Sequence, residues 1–311
     1  MEQTVSQVQS WEEAYAALRT SAAVIDRGDR GVVRVDGADR RSFLQGLLTN
    51  DIAALTPGAA CYAALLTPQG RMIADMNVVE LGEYVLLDVD RERAADLAAR
   101  LDRSIFSEDV AVRDASAEYG RAAVAGPDGP RAVDHARAAE PGVVSFVDRA
   151  WDVPLIELFV GAANLPALRN VLAAAGASDA DPRAVEALRI ESGVPRFGLD
   201  MDEHTIPLEA GIEERAISFT KGCYVGQEVI IRVLHRGHGR VAKKLVRLTI
   251  DAASARELPA PGAPLTVSGK DVGRLTSVAW SPAQHRGVAL GYVQREAAAA
   301  ATKLDGGIIV A

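Results

Sequence analysis

Lys221-Gly222-Cys223-Tyr224-Val225-Gly226-Gln227-Glu228 puts a cation, a thiol, two glycines, an amide and a carboxylate into eight residues. Just upstream, residues 207–211 and 216–220 read as a loop and a short apolar segment, so Lys221-Gly222 should open a turn and residues 224–233 a helix. Cys223 would then stand near a helix N-terminus beside Lys221, where partial positive charge favours the thiolate. A lone cysteine is more often a small buried hydrophobe than a reactive group. Buried cysteines usually sit within apolar runs, however, and this one follows a glycine, with a lysine two residues before it.

Working outward, the stretch is preceded by Arg189-Ile190-Glu191-Ser192-Gly193-Val194-Pro195-Arg196-Phe197-Gly198 and by Asp202-Glu203-His204-Thr205-Ile206-Pro207-Leu208-Glu209-Ala210-Gly211. Earlier still come Phe43-Leu44-Gln45-Gly46, Thr49-Asn50-Asp51 and Leu66-Thr67-Pro68-Gln69-Gly70-Arg71. In this order the motifs resemble the YgfZ family of folate-binding proteins, relatives of the glycine cleavage T-protein, the aminomethyltransferase. The resemblance covers most of the chain. It implies an α+β, T-protein-like architecture of three domains, two mixed α+β domains around a central folate cavity plus a C-terminal β-barrel. It also implies tetrahydrofolate or a one-carbon derivative as ligand, a role in iron-sulfur cluster assembly or repair, and Cys223 as the essential thiol, with Lys221 beside it. Client proteins or assembly factors of iron-sulfur metabolism would be its partners, and the chain would act as a monomer.

Composition sets bounds of its own. A chain of 311 residues is long enough for two or three cores. Its 49% hydrophobic and 24% charged residues are ordinary for a soluble globular protein. Two cysteines, Cys61 and Cys223, are too few for a disulfide framework or for the four ligands that an iron-sulfur cluster usually needs, so a reducing cytoplasm is expected. The first seven residues lack the features of a signal peptide, and no apolar run approaches bilayer length, so neither secretion nor membrane insertion is expected. The net charge of −8 argues against general nucleic-acid binding, yet residues 221–247 hold seven cations and one acid. Most such runs are solvated faces. This one contains His235, Gly237, His238 and Gly239 and suits an anionic ligand such as the glutamate tail of a folate.

Periodicity and punctuation place helices at 11–18, 39–48, 91–103, 164–176 and 181–193, and strands at 31–36, 61–67, 72–79, 84–89, 122–125, 143–147 and 155–160. Single helices between strands indicate mixed α+β units. Beyond residue 240 short strands follow at 244–250, 264–267, 274–279, 287–292 and 303–310, the spacing of a small barrel. Domains are therefore expected at 1–115, 116–239, carrying the eight-residue motif, and 240–311, with the last boundary at 237–239.

A pterin presents an amino group and a ring N–H side by side, which one carboxylate can accept together. Through the Arg-Leu-Glu of the T-protein pattern, the resemblance gives that role to Glu191, with Arg189 of the same motif and Lys221 as further folate-binding candidates; without it, Glu191 reads as a helix-surface acid. Phe197 matches an aromatic pocket wall, and Glu209 the acid of Pro-x-Glu. Asp202, Glu203 and His204 are contiguous and read as a solvated loop instead of a metal site, so no metal is expected. T-proteins carry two adjacent aspartates where this chain has Ala74-Asp75. A methyl group supplies neither charge nor a proton, so aminomethyl transfer, the rival activity, is expected to be impaired, with Asp75 the remaining carboxylate and Ala74→Asp a route to restoring it. A cysteine hydrolase pairing Cys223 with His204, His235 or His238 lacks a nucleophile elbow and an orienting partner.

Overall fold

The computed structural model describes residues 10–235 and 240–311; the boundary expected at 237–239 lies outside them. The strands Ala60–Leu66, Met72–Glu80, Val85–Asp90, Arg30–Asp36 and Ala111–Asp114 stand side by side in that order as an antiparallel sheet. Alternate positions such as Val33, Ala63, Leu65, Ala74, Met76 and Leu87 make one face apolar. The helices Arg40–Leu47 and Ala94–Asp102 cover that face with Phe43, Leu44, Leu97 and Leu101.

A second sheet orders Ser178–Asp179, Ala23–Asp26, Tyr119–Ala125, Leu155–Gly161 and Val144–Asp148. The helices Gly129–Ala139 and Leu165–Ala174 pack on one side of it, and Trp11–Thr20 and Pro182–Glu191 on the other. The first of these helices begins with a capping box: Ser10 Oγ accepts from Glu13 N, and the Glu13 carboxylate accepts from Ser10 N. The helix Gly129–Ala139 is absent from the sequence reading because Gly129-Pro130 looks like a turn. Proline fits a first helical turn, where its missing N–H has no intrahelical partner.

Two of the expected divisions are corrected. The helix Trp11–Thr20 and the strand Ala23–Asp26 join the second sheet, the strand pairing antiparallel with Tyr119–Ala125, so the first sheet starts at Arg30. Residues 207–235, with the eight-residue motif, pack against Ala64, Leu66 and Met72 of the first sheet, because Leu208, Ile212, Ile217, Tyr224 and Ile230 cover the apolar patch on that sheet's other face.

The C-terminal strands order Pro264–Val267, Lys270–Ser281, Arg286–Gln294, Lys243–Ile250, Ile308–Val310 and Lys303–Leu304 into a nearly closed barrel. The single strand expected at 303–310 is two, folded at Gly306 and Gly307, whose φ angles of 72° and 73° favour glycine. Asp305 ties the edges together, accepting from Thr266 Oγ1 and Gly269 N at 2.8 Å and from Ser268 N at 3.1 Å. Ile190 packs on Leu245, Val288, Leu290 and Tyr292 of the barrel, while Val32, Val79 and Leu86 of the first sheet meet Phe146 and Phe159 of the second.

Candidate functional site

Each of three apolar strands carries a charged residue inside it: Asp88 in Val85–Asp90, Arg121 in Tyr119–Ala125 and Glu157 in Leu155–Gly161. All three are buried. They meet where the sheets face each other. Arg121 donates to Asp88 through Nη1 and to Glu157 through Nη2, the latter at 2.8 Å. Arg30 reaches Asp88 at 3.1 Å, and Arg27 reaches Glu157 at 2.6 Å. Burial alone would raise the Asp88 pKa, but Arg121 and Arg30 outweigh it and hold the carboxyl well below its usual range. Three guanidinium groups against two carboxylates give this floor one excess positive charge. A lone charge inside an apolar strand was the sequence signal for it, and reading by apolar periodicity passes over such residues.

Above the floor opens a cavity of about 340 Å³, walled by both sheets, the helix Pro182–Glu191 and the loop at 194–197. Tyr62, Trp151 and Phe197 supply aromatic surface, and Asp29, Asp75, Asn77, Glu186, Arg189 and Arg215 supply polar groups. Trp151 is fixed by Nε1 donating to Asp148 at 3.1 Å, and the Arg93 guanidinium lies 4.1 Å from the centre of the Phe197 ring. Asp29 Oδ1 is buried without a partner among the described residues. Tyr62 Oη donates to Asp75 Oδ2 at 2.9 Å. Burial raises the Asp75 pKa by more than Arg30 and the Tyr62 hydroxyl lower it. A carboxyl so placed can hold or pass a proton inside a partly enclosed site.

Of the residues expected from sequence, Asp75, Phe197 and Arg189 line this cavity. Arg189 spends all five N–H donors on Glu186, Val194 O, Asp200 Oδ2 and Ser277 Oγ, so it ties the helix to the barrel and has none left for a ligand. Glu191 does not line the cavity. Its carboxylate is 7% exposed as a residue and accepts from Tyr15 Oη at 2.7 and 2.8 Å and from Arg19 Nη1 at 2.7 Å. It pins the helix Trp11–Thr20. Glu209, raised in pKa by burial, faces Lys243 of the barrel at 4.0 Å. Asp202 accepts from His204 N at 2.9 Å and Thr205 Oγ1 at 2.9 Å, which makes its loop a self-bonded turn.

Ala74 is also corrected. Successive strand residues point to opposite faces, and Ala74 is 2% exposed in the core beneath the helices while Asp75 faces the cavity. An aspartate at 74 would not reach the cavity, so its replacement by alanine removes no carboxylate from it.

The motif around Cys223 works as a clasp. Lys221 Nζ donates to Gln45 O and Leu48 O at 2.6 Å and Asn50 O at 2.9 Å, capping the carbonyl end of the helix Arg40–Leu47. Burial pulls its ammonium down to about 8. Tyr224 is buried, and Gly226 has φ 84°. A Cβ on Gly226 would stand 2.5 Å from Thr67 O, so residues 66–71 and 221–228 are the two sides of one backbone seam. The helix begins at Gln227, not 224, so Cys223 precedes it by four residues; the thiol is exposed and lies outside the cavity wall.

An antiparallel sheet and a second sheet, antiparallel but for the parallel pair of Ala23–Asp26 with Ser178–Asp179, meet over a cavity, and with a barrel packed against the same helix they define an α+β protein of the T-protein-like fold. Residues 3–141 match the family model described as the GCVT N-terminal domain, and 243–308 that of the glycine cleavage T-protein C-terminal barrel domain. The chain is 30% identical over 298 residues to the aminomethyltransferase of Rubrobacter xylanophilus, covering 91% of this chain and 78% of that protein. It is 27% identical to the aminomethyltransferase of Bacillus subtilis, covering 96% and 87%. The solved aminomethyltransferase T of the glycine cleavage system from Bartonella henselae superposes with a TM-score of 0.85 at 20% identity, over 97% of this chain and 87% of that one. The chain belongs to the glycine cleavage T-protein family. No helix among the described residues is long and apolar enough to cross a membrane.

Proposed function

We propose that this chain is a tetrahydrofolate-binding protein of the YgfZ type, holding the reduced folate in the cavity between its sheets. The observation that carries the reading is the buried Asp29 Oδ1, without a hydrogen-bond partner among the described residues, in a cavity that Tyr62, Trp151 and Phe197 also line. A pterin offers a flat ring for aromatic walls and adjacent N–H donors for such an acceptor. Bound there, the folate supplies a carrier for a one-carbon unit; the chain contributes the acceptor Asp29, the aromatic walls, and Asp75 as the group that holds a proton. Titration calorimetry with tetrahydrofolate tests this. Asp29→Asn should weaken binding by about tenfold or more, the scale of one charge-assisted bond. No binding by the wild type ends the reading.

The thiol belongs to a different surface. Anchored by Lys221 and Tyr224 on either side and exposed between them, Cys223 is presented to other macromolecules rather than to the folate. That arrangement supports the role in iron-sulfur cluster assembly or repair. Cys223→Ser should keep folate affinity and fail to rescue iron-sulfur enzyme activity in cells lacking the native protein; full rescue removes the thiol from the function. A second reading, folate-dependent aminomethyl transfer, is favoured by Asp75 facing the cavity. Aminomethyl release from a carrier protein by the wild type, abolished in Asp75→Asn, would put it first.

A further inference from the structure

Of the arginines lining the cavity, four are committed. Arg27 and Arg30 are held by Glu157 and Asp88, Arg189 by Glu186 and Asp200, and Arg196 by Asp29 at 3.4 Å. Arg215 has no carboxylate within ion-pair distance among the described residues, and its guanidinium lies over the Tyr62 ring, 4.8 Å from the centroid. The hydroxyl of that same ring donates to Asp75 at 2.9 Å, and Asp75 likewise has no cation within ion-pair distance among the described residues. One tyrosine therefore bears an uncommitted guanidinium on its face and an uncommitted carboxylate at its hydroxyl end. In a partly desolvated site an unpaired guanidinium is costly to keep, and burial disfavours the charged form of Asp75 until a cation meets it, so a ligand bringing a carboxylate to the one and an amine to the other relieves both.

We infer that the cavity binds a small α-amino acid zwitterion, its carboxylate on Arg215 and its amine on Asp75, beside the pterin. The two groups stand on the same ring, one on its face and one at its hydroxyl, and an amine and a carboxylate on one carbon can meet both with charge-assisted bonds of about 2.8 Å at each end. Both polar ends of the ligand are then paired, and Tyr62 supplies the apolar floor between them. Arginine suits the carboxylate because its planar fork takes both oxygens at once. The inference rests on the reading of this cavity as the ligand site, and it names a second occupant for it. A carboxylate at Arg215 has one other source, the glutamyl end of the folate itself.

Calorimetric titration of glycine into the wild type and Arg215→Gln, without and then with saturating tetrahydrofolate, separates the sources. Glycine should bind the wild type, while glycinamide, lacking the carboxylate, and acetate, lacking the amine, should bind at least tenfold more weakly. Arg215→Gln should lower glycine affinity about tenfold or more, and Arg215→Lys should recover part of the loss. The guanidinium makes no hydrogen bond or ion pair among the described residues, so an unchanged melting temperature checks that the variant folds. Absence of glycine binding under both conditions overturns the inference. So does an Arg215→Gln protein that loses tetrahydrofolate affinity and keeps glycine, which assigns the arginine to the folate tail. Retained glycine binding in a protein that binds no folate would sink the folate reading alone.

Discussion

Replacing Glu191 by alanine separates a ligand role from a scaffold role at the residue that the Arg-Ile-Glu motif singles out. The Tyr15 hydroxyl, in a residue 3% exposed, has the Glu191 carboxylate as its acceptor at 2.7 and 2.8 Å. A hydrogen bond to a charged group contributes about 1.5–3 kcal/mol, and stranding the buried hydroxyl adds to the loss. The Arg19 side chain is 35% exposed, so its ion pair adds under about 1 kcal/mol. Glu191→Ala should thus cost about 2–4 kcal/mol and lower the melting temperature by roughly 5–15 °C, with tetrahydrofolate affinity changed less than about twofold. The pH dependence has a matching sign. Burial, and then the bond to Glu191, push the Tyr15 pKa from 10.0 to about 12, so the folded chain keeps that proton longer than the unfolded one. Its stabilisation is full below pH 10 and is lost between 10 and 12, and Glu191→Ala should shrink that loss. Thermal melts followed by circular dichroism, with folate titrations alongside, provide the assay. An unchanged melting temperature, or a tenfold loss of folate affinity in a protein that melts normally, refutes the assignment.

Ala74→Asp should cost about 3 kcal/mol or more without raising any one-carbon transfer, since the new carboxylate enters the helix-covered core; denaturant unfolding and a transfer assay check both halves. Mild alkylation should label Cys223 well before Cys61, which burial pushes up to about 12, and saturating folate should not protect Cys223; mass spectrometry of the labelled peptides gives the order. Gly226→Ala should cost about 2–4 kcal/mol, because its φ of 84° and the 2.5 Å approach to Thr67 O both exclude a Cβ; an unchanged denaturation midpoint would disprove the seam.

Much of the architecture was legible in the chain. Period-two apolar spacing located most of the strands, and Pro and Gly punctuation located the barrel. These signals are local: the pleat and the helical turn repeat over a few residues, and turn residues act through their own backbone. The short strands Ala23–Asp26 and Ser178–Asp179 left no period to read, and their place in the second sheet comes from pairing across nearly the whole length of the two mixed units. The site was decided at the same range. Glu191 and Glu186 lie five positions apart on one helix, and the motif singled out Glu191; tertiary packing turns Glu186 to the cavity and Glu191 to Tyr15. Ala74 and Asp75 are neighbours whose meanings separate only when one face of their strand is covered by helices and the other faces the cavity. Lys221, next but one to Cys223, turns its ammonium to carbonyls some 170 residues away. A charge acts on whatever lies within a few ångströms, and distance in space is set by the packing of whole elements, which no short stretch of sequence contains.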